Sequence, residues 1–390
     1  MITRIEARNY RCLRKVDVSL RPFQILVGPN GSGKTAFMDV LGFLQDYVSY
    51  TVQYAVKQRT DNFHDLVWGR EETSFDLALE AQIPPEHIIA TETASYTRLR
   101  YEVFVRLDPR SEVPVIEKEK VVLQDPVHEK TWLLADRTRT RVEFPHEDGS
   151  RPQPGFGMDM SLFDSAVKSL PTGANDLPTI KWFATLLCEG IRDVRLRTED
   201  LHKPSTLEAE RASKLTGANL ARSVFELRQK STEAFDAWIR HLRTALPDLE
   251  AVRTEPWPQG SARNLEIKYR NGIEVPSRVV SDGTLCLLAL TILAYIPEPN
   301  QVYLIEEPEN AVHPTAVETI YQSLSSLYDN QVLMASHSPI LLSLAEPEEL
   351  LCFTRTAEGT EIMPGNEHPA LKEWKGEVNL SDLFAAGVLG

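Results

Sequence analysis

With 390 residues, the chain is longer than a single compact domain of about 150 residues. Its composition, 42% hydrophobic and 25% charged residues, excludes a disordered, fibrous or disulfide-stabilised protein. The 56 acidic and 42 basic side chains give a net charge of -14. This charge argues against a protein that binds nucleic acid over its whole surface. A local basic patch remains compatible with that charge.

The compartment can be predicted from the cysteines and the apolar runs. The four cysteines are Cys12, Cys188, Cys286 and Cys352. Their wide separation predicts small buried side chains rather than a metal or redox pair. The charged residues 1–8 lack the apolar stretch of a signal peptide. The longest apolar run, residues 285–296, is shorter than a membrane span of about 20 residues. We therefore expect a cytoplasmic protein with no membrane contact.

The first functional motif follows the apolar run Phe23–Val27, which predicts a buried strand. Residues 28–35 read GPNGSGKT and fit the phosphate-loop pattern G-x-x-x-x-G-K-[ST]. In such a loop the backbone N–H groups surround phosphate oxygens, Lys34 reaches the β- and γ-phosphates, and Thr35 binds Mg²⁺. Apolar residues at helical spacing follow the loop, so it is predicted to end at a helix N-terminus. These residues are Phe37, Leu41, Leu44, Val48 and Val52.

A second apolar run, residues 301–305, ends in the acidic sequence EEPE. Carboxylates at the end of a buried strand are the expected second element of a phosphate-loop ATPase. Neighbouring residues of a strand point to opposite faces. The sequence therefore predicts that Glu306 holds the Mg²⁺ shell and that Glu307 acts as the general base.

Two further segments are candidates for the same site. Residues 331–335 predict a third strand, and His337 beyond its end could contact a γ-phosphate or serve as a structural residue. Ser281 and Gly283 precede a strongly apolar helix. They could cap that helix, or they could bind an anion at its N-terminus.

Taken in order, these motifs resemble the ABC-type ATPase heads of RecF and SMC proteins. More narrowly, they resemble the compact RecF-like AAA family ATPases of prokaryotic anti-phage systems, which are related to the ATPase part of OLD-family proteins. The matching segments are Ile5–Arg11, Gly28–Thr35, Ser281–Thr284, Glu306–Pro314 and Ser336–Pro339. The resemblance covers residues 1–70 and 215–355. It implies an α/β fold, namely an ABC-type P-loop ATPase head.

The resemblance also implies an ATP molecule sandwiched between two copies of the chain, in a homodimer or a higher homo-oligomer. Its cofactors would be ATP and Mg²⁺. The implied nucleotide-binding residues are Arg11, Asn30, Gly31, Ser32, Gly33, Lys34, Thr35, Ser281 and Gly283. The last two would contact the γ-phosphate bound by the other subunit.

The catalytic and metal-binding residues follow from the same resemblance. Glu307 resembles the catalytic base, His337 the switch histidine, and Lys34 completes the catalytic set. Thr35 and Glu306 are the implied ligands of Mg²⁺.

Three features depart from the family pattern. Residues 281–284 read SDGT where transporters and most SMC heads have Ser-Gly-Gly, and Glu306 stands where Asp is usual. The glutamine that senses Mg²⁺ has no assigned position. Gln124, at the end of a predicted strand, is a candidate that stays outside the predicted site.

The chain is predicted to form one discontinuous ATPase domain made of four segments. Residues 1–72 form an N-terminal lobe with the phosphate loop, and residues 73–157 form a β-rich extension of it. Residues 158–250 form a helical insertion or arm, and residues 251–390 form the C-terminal lobe.

The middle of the chain changes from strand patterns to helix patterns. The predicted strands are 74–81, 98–107, 113–123, 131–135 and 140–144. A Pro/Gly-rich break follows at residues 151–157, and residues 205–208 fit a helix capping box. A long amphipathic helical stretch then runs from Asn219 to the stop at Pro247.

Two arginine clusters are the local candidates for contact with DNA. They are Arg137, Arg139 and Arg141, and Arg192, Arg195 and Arg197. The alternating members of the first cluster share one face of a predicted strand. Each cluster could bind nucleic-acid phosphates, or form ion pairs within the protein.

Two functional hypotheses remain open. The first is an ATP-hydrolysing ATPase whose dimerisation regulates a DNA-directed effector in anti-phage defence or DNA repair. Residues 379–390 leave no room for a fused nuclease, so the nuclease would act in trans. The second is a nucleotide-locked scaffold or sensor that assembles a complex and releases an effector while hydrolysing little ATP.

A transporter ATPase is disfavoured, since the chain lacks a Gly-Gly signature and a membrane span.

Overall fold

The structure is a computed structural model that describes residues 1–139, 141–143, 161–163, 178–206, 214–257, 262–310, 312–372 and 380. The chain divides into two compact units. Unit 1 comprises Met1–Arg21, Pro29–Ile191 and Phe353–Ile362. Unit 2 comprises Pro22–Gly28, Arg192–Cys352 and Met363–Gly390.

The strands of the described residues are numbered in chain order. They are β1 (Ile2–Tyr10), β2 (Leu13–Ser19), β3 (Phe23–Val27), β4 (Ser74–Gln82), β5 (Ile89–Ala90), β6 (Ser95–Tyr96), β7 (Arg98–Leu107), β8 (Pro114–Asp125), β9 (Lys130–Thr138), β10 (Arg141–Glu143), β11 (Ile191–Val194), β12 (Lys214–Leu215), β13 (Leu249–Pro256), β14 (Arg263–Tyr269), β15 (Glu274–Pro276), β16 (Val302–Glu306), β17 (Gln331–Ala335), β18 (Leu350–Thr356) and β19 (Gly359–Pro364).

The α-helices are numbered in the same way. They are α1 (Lys34–Ser49), α2 (Val52–Lys57), α3 (Pro178–Thr185), α4 (Thr198–Leu201), α5 (Leu220–Lys230), α6 (Thr232–Ala245), α7 (Asp282–Thr291), α8 (Pro314–Ser325), α9 (Pro339–Leu344) and α10 (Pro369–Lys372).

Unit 1 contains an antiparallel sheet in the order β10-β9-β8-β7-β4-β1-β2. Apolar and polar residues alternate along β7, where Leu99, Tyr101, Val103 and Val105 are buried. This period-2 pattern is typical of a half-buried strand. The strands predicted at 74–81, 98–107, 113–123 and 131–135 are confirmed within a few residues as β4, β7, β8 and β9. Of the strand predicted at 140–144, the described residues form β10.

A fully buried carboxylate, Glu119, organises the core of unit 1. It accepts hydrogen bonds from the hydroxyls of Tyr47 at 2.8 Å, Tyr101 at 2.6 Å and Ser161 at 2.9 Å. The guanidinium of Arg137 lies 3.3 Å from the same carboxylate and is itself buried. A buried charge is tolerated because it is paired and hydrogen-bonded.

This arrangement decides between the two interpretations of the first arginine cluster. Arg137 forms a buried ion pair, and Arg139 pairs with Asp108, a carboxylate that is also buried. Both side chains follow the ion-pair alternative, and the DNA-contact interpretation of Arg137 is wrong because its guanidinium has no access to a ligand. The side chain of Arg141 lies outside the described part of the chain.

Unit 2 contains the strands that carry the acidic motif. The strand order within this unit is β12-β11-β16-β17-β3-β18, and β17 pairs in parallel with both β16 and β3. Helices α5 to α8 pack in one hydrophobic core with β16 and β17. Trp238 of α6 is fully buried there and donates a hydrogen bond to Thr291 of α7 at 2.9 Å. The segment predicted as an arm thus contributes α5 and α6 to this core.

The amphipathic stretch predicted from Asn219 forms two helices instead of one. Ser231 separates α5 from α6 with an extended backbone, and its hydroxyl accepts a hydrogen bond from the N–H of Ala234. A serine in this position starts a new helix because it satisfies one of the unpaired N–H groups of the first turn. Thr51 separates α1 from α2 in the same way. The predicted break at 151–157 and residues 207–208 of the predicted capping box lie outside the described residues.

The cysteines agree only in part with the sequence prediction. Cys286 and Cys352 are buried, and burial raises the pKa of their thiols to about 11 and about 12. Cys12 and Cys188 are partly exposed. None of the four forms a disulfide.

The buried cluster around Glu119 leads to a stability prediction. Glu119→Ala should lower the free energy of unfolding by about 3–5 kcal/mol, because it leaves the Arg137 charge and two tyrosine hydroxyls without their partner. Scanning calorimetry should show the melting temperature fall by roughly 5–15 °C. Lys118→Ala, at an exposed position of the same strand, is the matched control and should change it little. Equal melting temperatures for the two variants would contradict a role for the cluster.

Candidate functional site

The phosphate-loop sequence follows β3 directly and leads into α1. Gly31 has φ 75° and Gly33 has φ 108°, values that glycine adopts readily. Lys34 is the first residue of α1 and is only 7% exposed. Its Nζ donates a hydrogen bond to the carbonyl of Pro29 at 3.0 Å, so the lysine folds back across the loop. The predicted order of strand, glycine-rich loop and helix is confirmed.

The remaining loop residues differ in their exposure. Asn30 and Thr35 are exposed, whereas Ser32 is buried. The hydroxyl of Ser32 lacks a hydrogen-bond partner among the described residues. A buried polar atom without a partner is costly unless a ligand or water satisfies it.

A residue that the sequence did not predict, Thr360, contacts the loop within unit 1. Its Oγ1 donates a hydrogen bond to the carbonyl of Ser32 at 2.9 Å. A Cβ atom on Gly33 would lie 2.5 Å from the same oxygen, so glycine is required for this close approach. No local pattern could reveal this contact, because 328 positions separate Thr360 from Ser32.

Arg11 is attached to the helix that follows the loop. Its Nη1 lies 3.3 Å from Oδ2 of Asp39 on α1, and Asp39 also pairs with Arg59 at 2.8 Å. Tyr10 donates a hydrogen bond to Asp39 at 2.6 Å, and burial raises the pKa of this tyrosine well above its usual value. Asp39 therefore holds Arg11 on the helix of the phosphate loop. The nucleotide contact of Arg11 stays a prediction.

The two predicted carboxylates have different surroundings in unit 2. Glu306 is the last residue of β16, and its Oε1 is buried without a hydrogen bond from the described residues. Nη2 of Arg195 lies 3.6 Å from this oxygen. Glu307 is exposed, has a left-handed backbone with φ 49°, and accepts a hydrogen bond from Asn310 at 2.5 Å. Glu307 lies beyond the end of β16 in a left-handed backbone, so the alternation along a strand that was expected for this pair does not apply to it.

The third carboxylate of the acidic sequence, Glu309, joins two of these segments. Its Oε1 accepts hydrogen bonds from the hydroxyl of Ser336 at 2.7 Å and from the N–H of His337 at 3.0 Å. Ser336 and His337 follow the end of β17. Glu309 thus restrains the backbone at His337, the predicted switch histidine. In the sequence, only its place in the acidic segment EEPE pointed to Glu309.

Ser281 and Gly283 lie at the N-terminus of α7. Ser281 is the N-cap residue, and its Oγ accepts a hydrogen bond from the N–H of Thr284 at 3.3 Å. Asp282 accepts one from His202 at 2.8 Å, which raises the pKa of the histidine. The capping interpretation is confirmed. The γ-phosphate contact of Ser281 and Gly283 stays a prediction.

The second arginine cluster lies beside the acidic strand. Arg192 donates a hydrogen bond to Gln301 at 3.0 Å, and Arg195 contacts both Asp193 and Glu306.

Gln124, the candidate for the glutamine that senses Mg²⁺, lies in β8 of the unit 1 sheet, opposite Arg98 and Thr131. It does not follow a strand of the sheet that carries Glu306. The residue that follows β11, the neighbour of β16, is Arg195.

Two of the predicted site residues carry oxygen atoms of the kind that Mg²⁺ prefers as ligands. A hard cation of this kind takes oxygen ligands, usually one or two carboxylates together with phosphate and water. The buried acceptor of Glu306 and the hydroxyl of Thr35 are of the right chemistry. No cluster of three or more His, Cys, Asp or Glu residues that could bind a metal alone occurs in the described part of the chain.

Two family descriptions match different parts of this chain. Residues 1–153 match the family described as "AAA ATPase domain". Residues 157–343 match the family described as "AAA domain, putative AbiEii toxin, Type IV TA system". Among the described residues, none of the helices is long and apolar enough to cross a bilayer.

One curated relative is the OLD nuclease of Thermus scotoductus, 22% identical over 372 residues. The match covers 90% of this chain but only 61% of the relative. The chain therefore spans about three fifths of the length of the nuclease that it matches.

Two solved structures show the same fold. One is an SMC head bound to the C-terminal winged-helix domain of ScpA, with a TM-score of 0.58, 15% identity, and coverage of 93% of this chain and 97% of that one. The other is the Pyrococcus furiosus SMC head with an extended coiled coil, with a TM-score of 0.51, 13% identity, and coverage of 93% and 95%. The predicted fold class, an α/β ABC-type ATPase head, is confirmed. The chain is thus similar in sequence to AAA ATPase domains and to the OLD nuclease, and its fold is that of the SMC heads.

Proposed function

We propose that the chain binds and hydrolyses ATP with Mg²⁺, and that ATP joins two copies head to tail to control a DNA-directed effector. One observation carries the proposal. Strands β3, β17 and β16 are parallel neighbours, so their carboxyl ends lie at one edge of the sheet. The phosphate loop, His337 and the two carboxylates follow these three ends. Ligands of open parallel sheets bind at this edge.

The phosphate loop would supply the positive side of the site. Its glycines permit a backbone whose N–H groups surround phosphate oxygens, and α1 begins at Lys34 with its dipole directed to the same place. The lysine would leave the carbonyl of Pro29 to reach the β- and γ-phosphates. There its charge would offset the negative charge that develops as the terminal phosphate is transferred.

The acidic strand would supply the metal ligand and the base. Glu306 would hold Mg²⁺ together with Thr35, and the ion, when bound, neutralises phosphate charge. Glu307 would accept the proton of the attacking water. Asn310 fixes the carboxylate of Glu307 through its 2.5 Å hydrogen bond, which limits the directions from which a water can be activated. His337 would hold the water or the γ-phosphate.

The N-terminus of α7 is the segment that a second copy would use. Ser281 is exposed, and Val279, two residues before it, is 66% exposed. Helix N-termini bind anions through their free N–H groups. In the proposed dimer, Ser281 and Gly283 contact the γ-phosphate held by the partner, and Val279 becomes buried.

The effector is proposed to be a nuclease supplied by a separate protein, in anti-phage defence or DNA repair. The relationship to a protein named OLD nuclease supports this class of effector. A contact with DNA would depend on the exposed Arg197 and its neighbours rather than on Arg137.

The role of Lys34 can be tested by binding. Lys34→Ala should weaken ATP affinity on the order of a hundredfold, because a charge-assisted contact to phosphate is lost. Titration of a fluorescent ATP analogue in the presence of Mg²⁺ measures this affinity. Lys15→Ala, an exposed lysine of β2, is the matched control and should bind as the wild type does. Unchanged affinity of Lys34→Ala would show that the loop does not bind ATP.

The role of Glu307 can be tested by turnover and assembly together. Glu307→Gln should retain ATP but hydrolyse it about 10²- to 10⁴-fold more slowly, because the general base is lost. Light scattering with ATP should then show an accumulated dimer. Glu298→Gln, an exposed glutamate, is the matched control.

Two results would contradict parts of the proposal. Equal hydrolysis rates for Glu307→Gln and the wild type would remove the catalytic assignment and favour the nucleotide-locked scaffold. A Glu307→Gln protein that stays monomeric at saturating ATP would remove the sandwich dimer.

A further inference from the structure

Thr360 contacts the phosphate loop from a hairpin that lies more than three hundred positions further along the chain. We propose that Thr360 is a positioning residue for ATP: its hydroxyl fixes the Ser32–Gly33 peptide so that the N–H of Gly33 faces the phosphate. This inference rests on the proposed binding of ATP by the loop. It adds a residue outside every motif of the sequence.

The position of Thr360 is fixed independently of the loop. Its backbone N–H donates a hydrogen bond to the carbonyl of Cys12 at 3.0 Å, which ties the start of β19 to the turn between β1 and β2. The preceding Gly359 has φ 116°, and a Cβ there would lie 3.1 Å from the same carbonyl. The side chain of Thr360 is 4% exposed, so its hydroxyl has few alternatives to the carbonyl of Ser32. The hydroxyl therefore acts as a fixed donor.

The geometry of a peptide group turns this contact into a constraint on the loop. In a trans peptide the C=O and the following N–H point in opposite directions. No cis peptide occurs in the described part of the chain. When the Thr360 hydroxyl binds the C=O of Ser32 from outside the loop, the N–H of Gly33 is directed inward. Inward N–H groups are the groups with which such a loop binds phosphate.

Gly33 and Thr360 depend on each other. Glycine at φ 108° can rotate its peptides more freely than any other residue, so the loop needs an external restraint to keep one orientation. Only glycine, in turn, leaves space for the Thr360 hydroxyl, because a Cβ would lie 2.5 Å from it. A loop already held in its binding orientation loses less conformational entropy when ATP binds. The expected effect of the contact is therefore on affinity for ATP.

Two substitutions separate the hydroxyl from the volume of the side chain. Thr360→Val keeps the shape and removes the donor, whereas Thr360→Ser keeps the donor and removes a methyl group. A merely structural threonine would make both variants alike in ATP binding. A positioning hydroxyl predicts that only Thr360→Val is impaired, and that Thr360→Ser rescues it.

The experiment uses the full chain and two measurements. Titration of a fluorescent ATP analogue with Mg²⁺ should show Thr360→Val binding about five- to tenfold more weakly than the wild type, and Thr360→Ser within about twofold of it. Hydrogen exchange of the peptide that covers residues 28–36, without nucleotide, should be faster in Thr360→Val only. Thermal unfolding verifies that both variants fold.

The outcomes distinguish this inference from the proposed function. If Thr360→Val binds ATP as tightly as the wild type, or if both variants lose affinity equally, the positioning role is overturned. If the wild type itself binds no ATP, the proposed function fails. Hydrogen exchange then still decides whether Thr360 orders the loop: unchanged exchange in Thr360→Val overturns the inference, and faster exchange in that variant alone supports it.

Discussion

The parallel pairing of β3, β17 and β16 is the constraint on which the candidate site depends. The ladder matches Ile25 with Met334 and Ile305 with Met334, so these strands run in register. The N–H of Ser336 extends the pairing to the carbonyl of Leu26 at 3.2 Å. Most residues of each strand are buried. The carboxyl ends of the three strands are thereby brought to one edge of the sheet, although nearly three hundred positions separate the first strand from the other two.

The pairing of the strands determines where the segments after β3, β17 and β16 begin. A few side-chain contacts then restrain the residues of these segments. Glu309 binds Ser336 and the N–H of His337, and Asn310 binds Glu307. Within unit 1, Thr360 binds the carbonyl of Ser32. In each case a side chain of one segment restrains a neighbouring residue that the proposal assigns to ATP. Such restraints define geometry without touching the ligand, which is why preorganised sites depend on them.

The sequence could predict the parts of this arrangement that depend on local patterns. Three signals are hydrophobic patterns within a short segment. They are the apolar run before the GPNGSGKT loop, the apolar run before EEPE, and the alternation of apolar and polar residues in β7. Ser231 was missed because its neighbours share one apolar helical face, and only the cap shows that a new helix begins. Arg137 and Thr360 could not be assigned, since their partners Glu119 and Ser32 are set by tertiary packing. Side-chain pairing between distant segments leaves no periodic signal.

In a chain with a net charge of -14, several arginines pair with acidic side chains of the protein itself. Arg137 and Arg139 neutralise buried acids of unit 1, and Arg195 lies beside Glu306 in unit 2. Nη2 of Arg195 lies 3.6 Å from the buried Oε1 of Glu306, so this guanidinium places positive charge beside the acidic strand. In the proposed ATP site, bound Mg²⁺ would repel this guanidinium and the phosphates would attract it. The contact of Arg195 with Glu306 therefore follows the ion-pair alternative for this member of the second cluster.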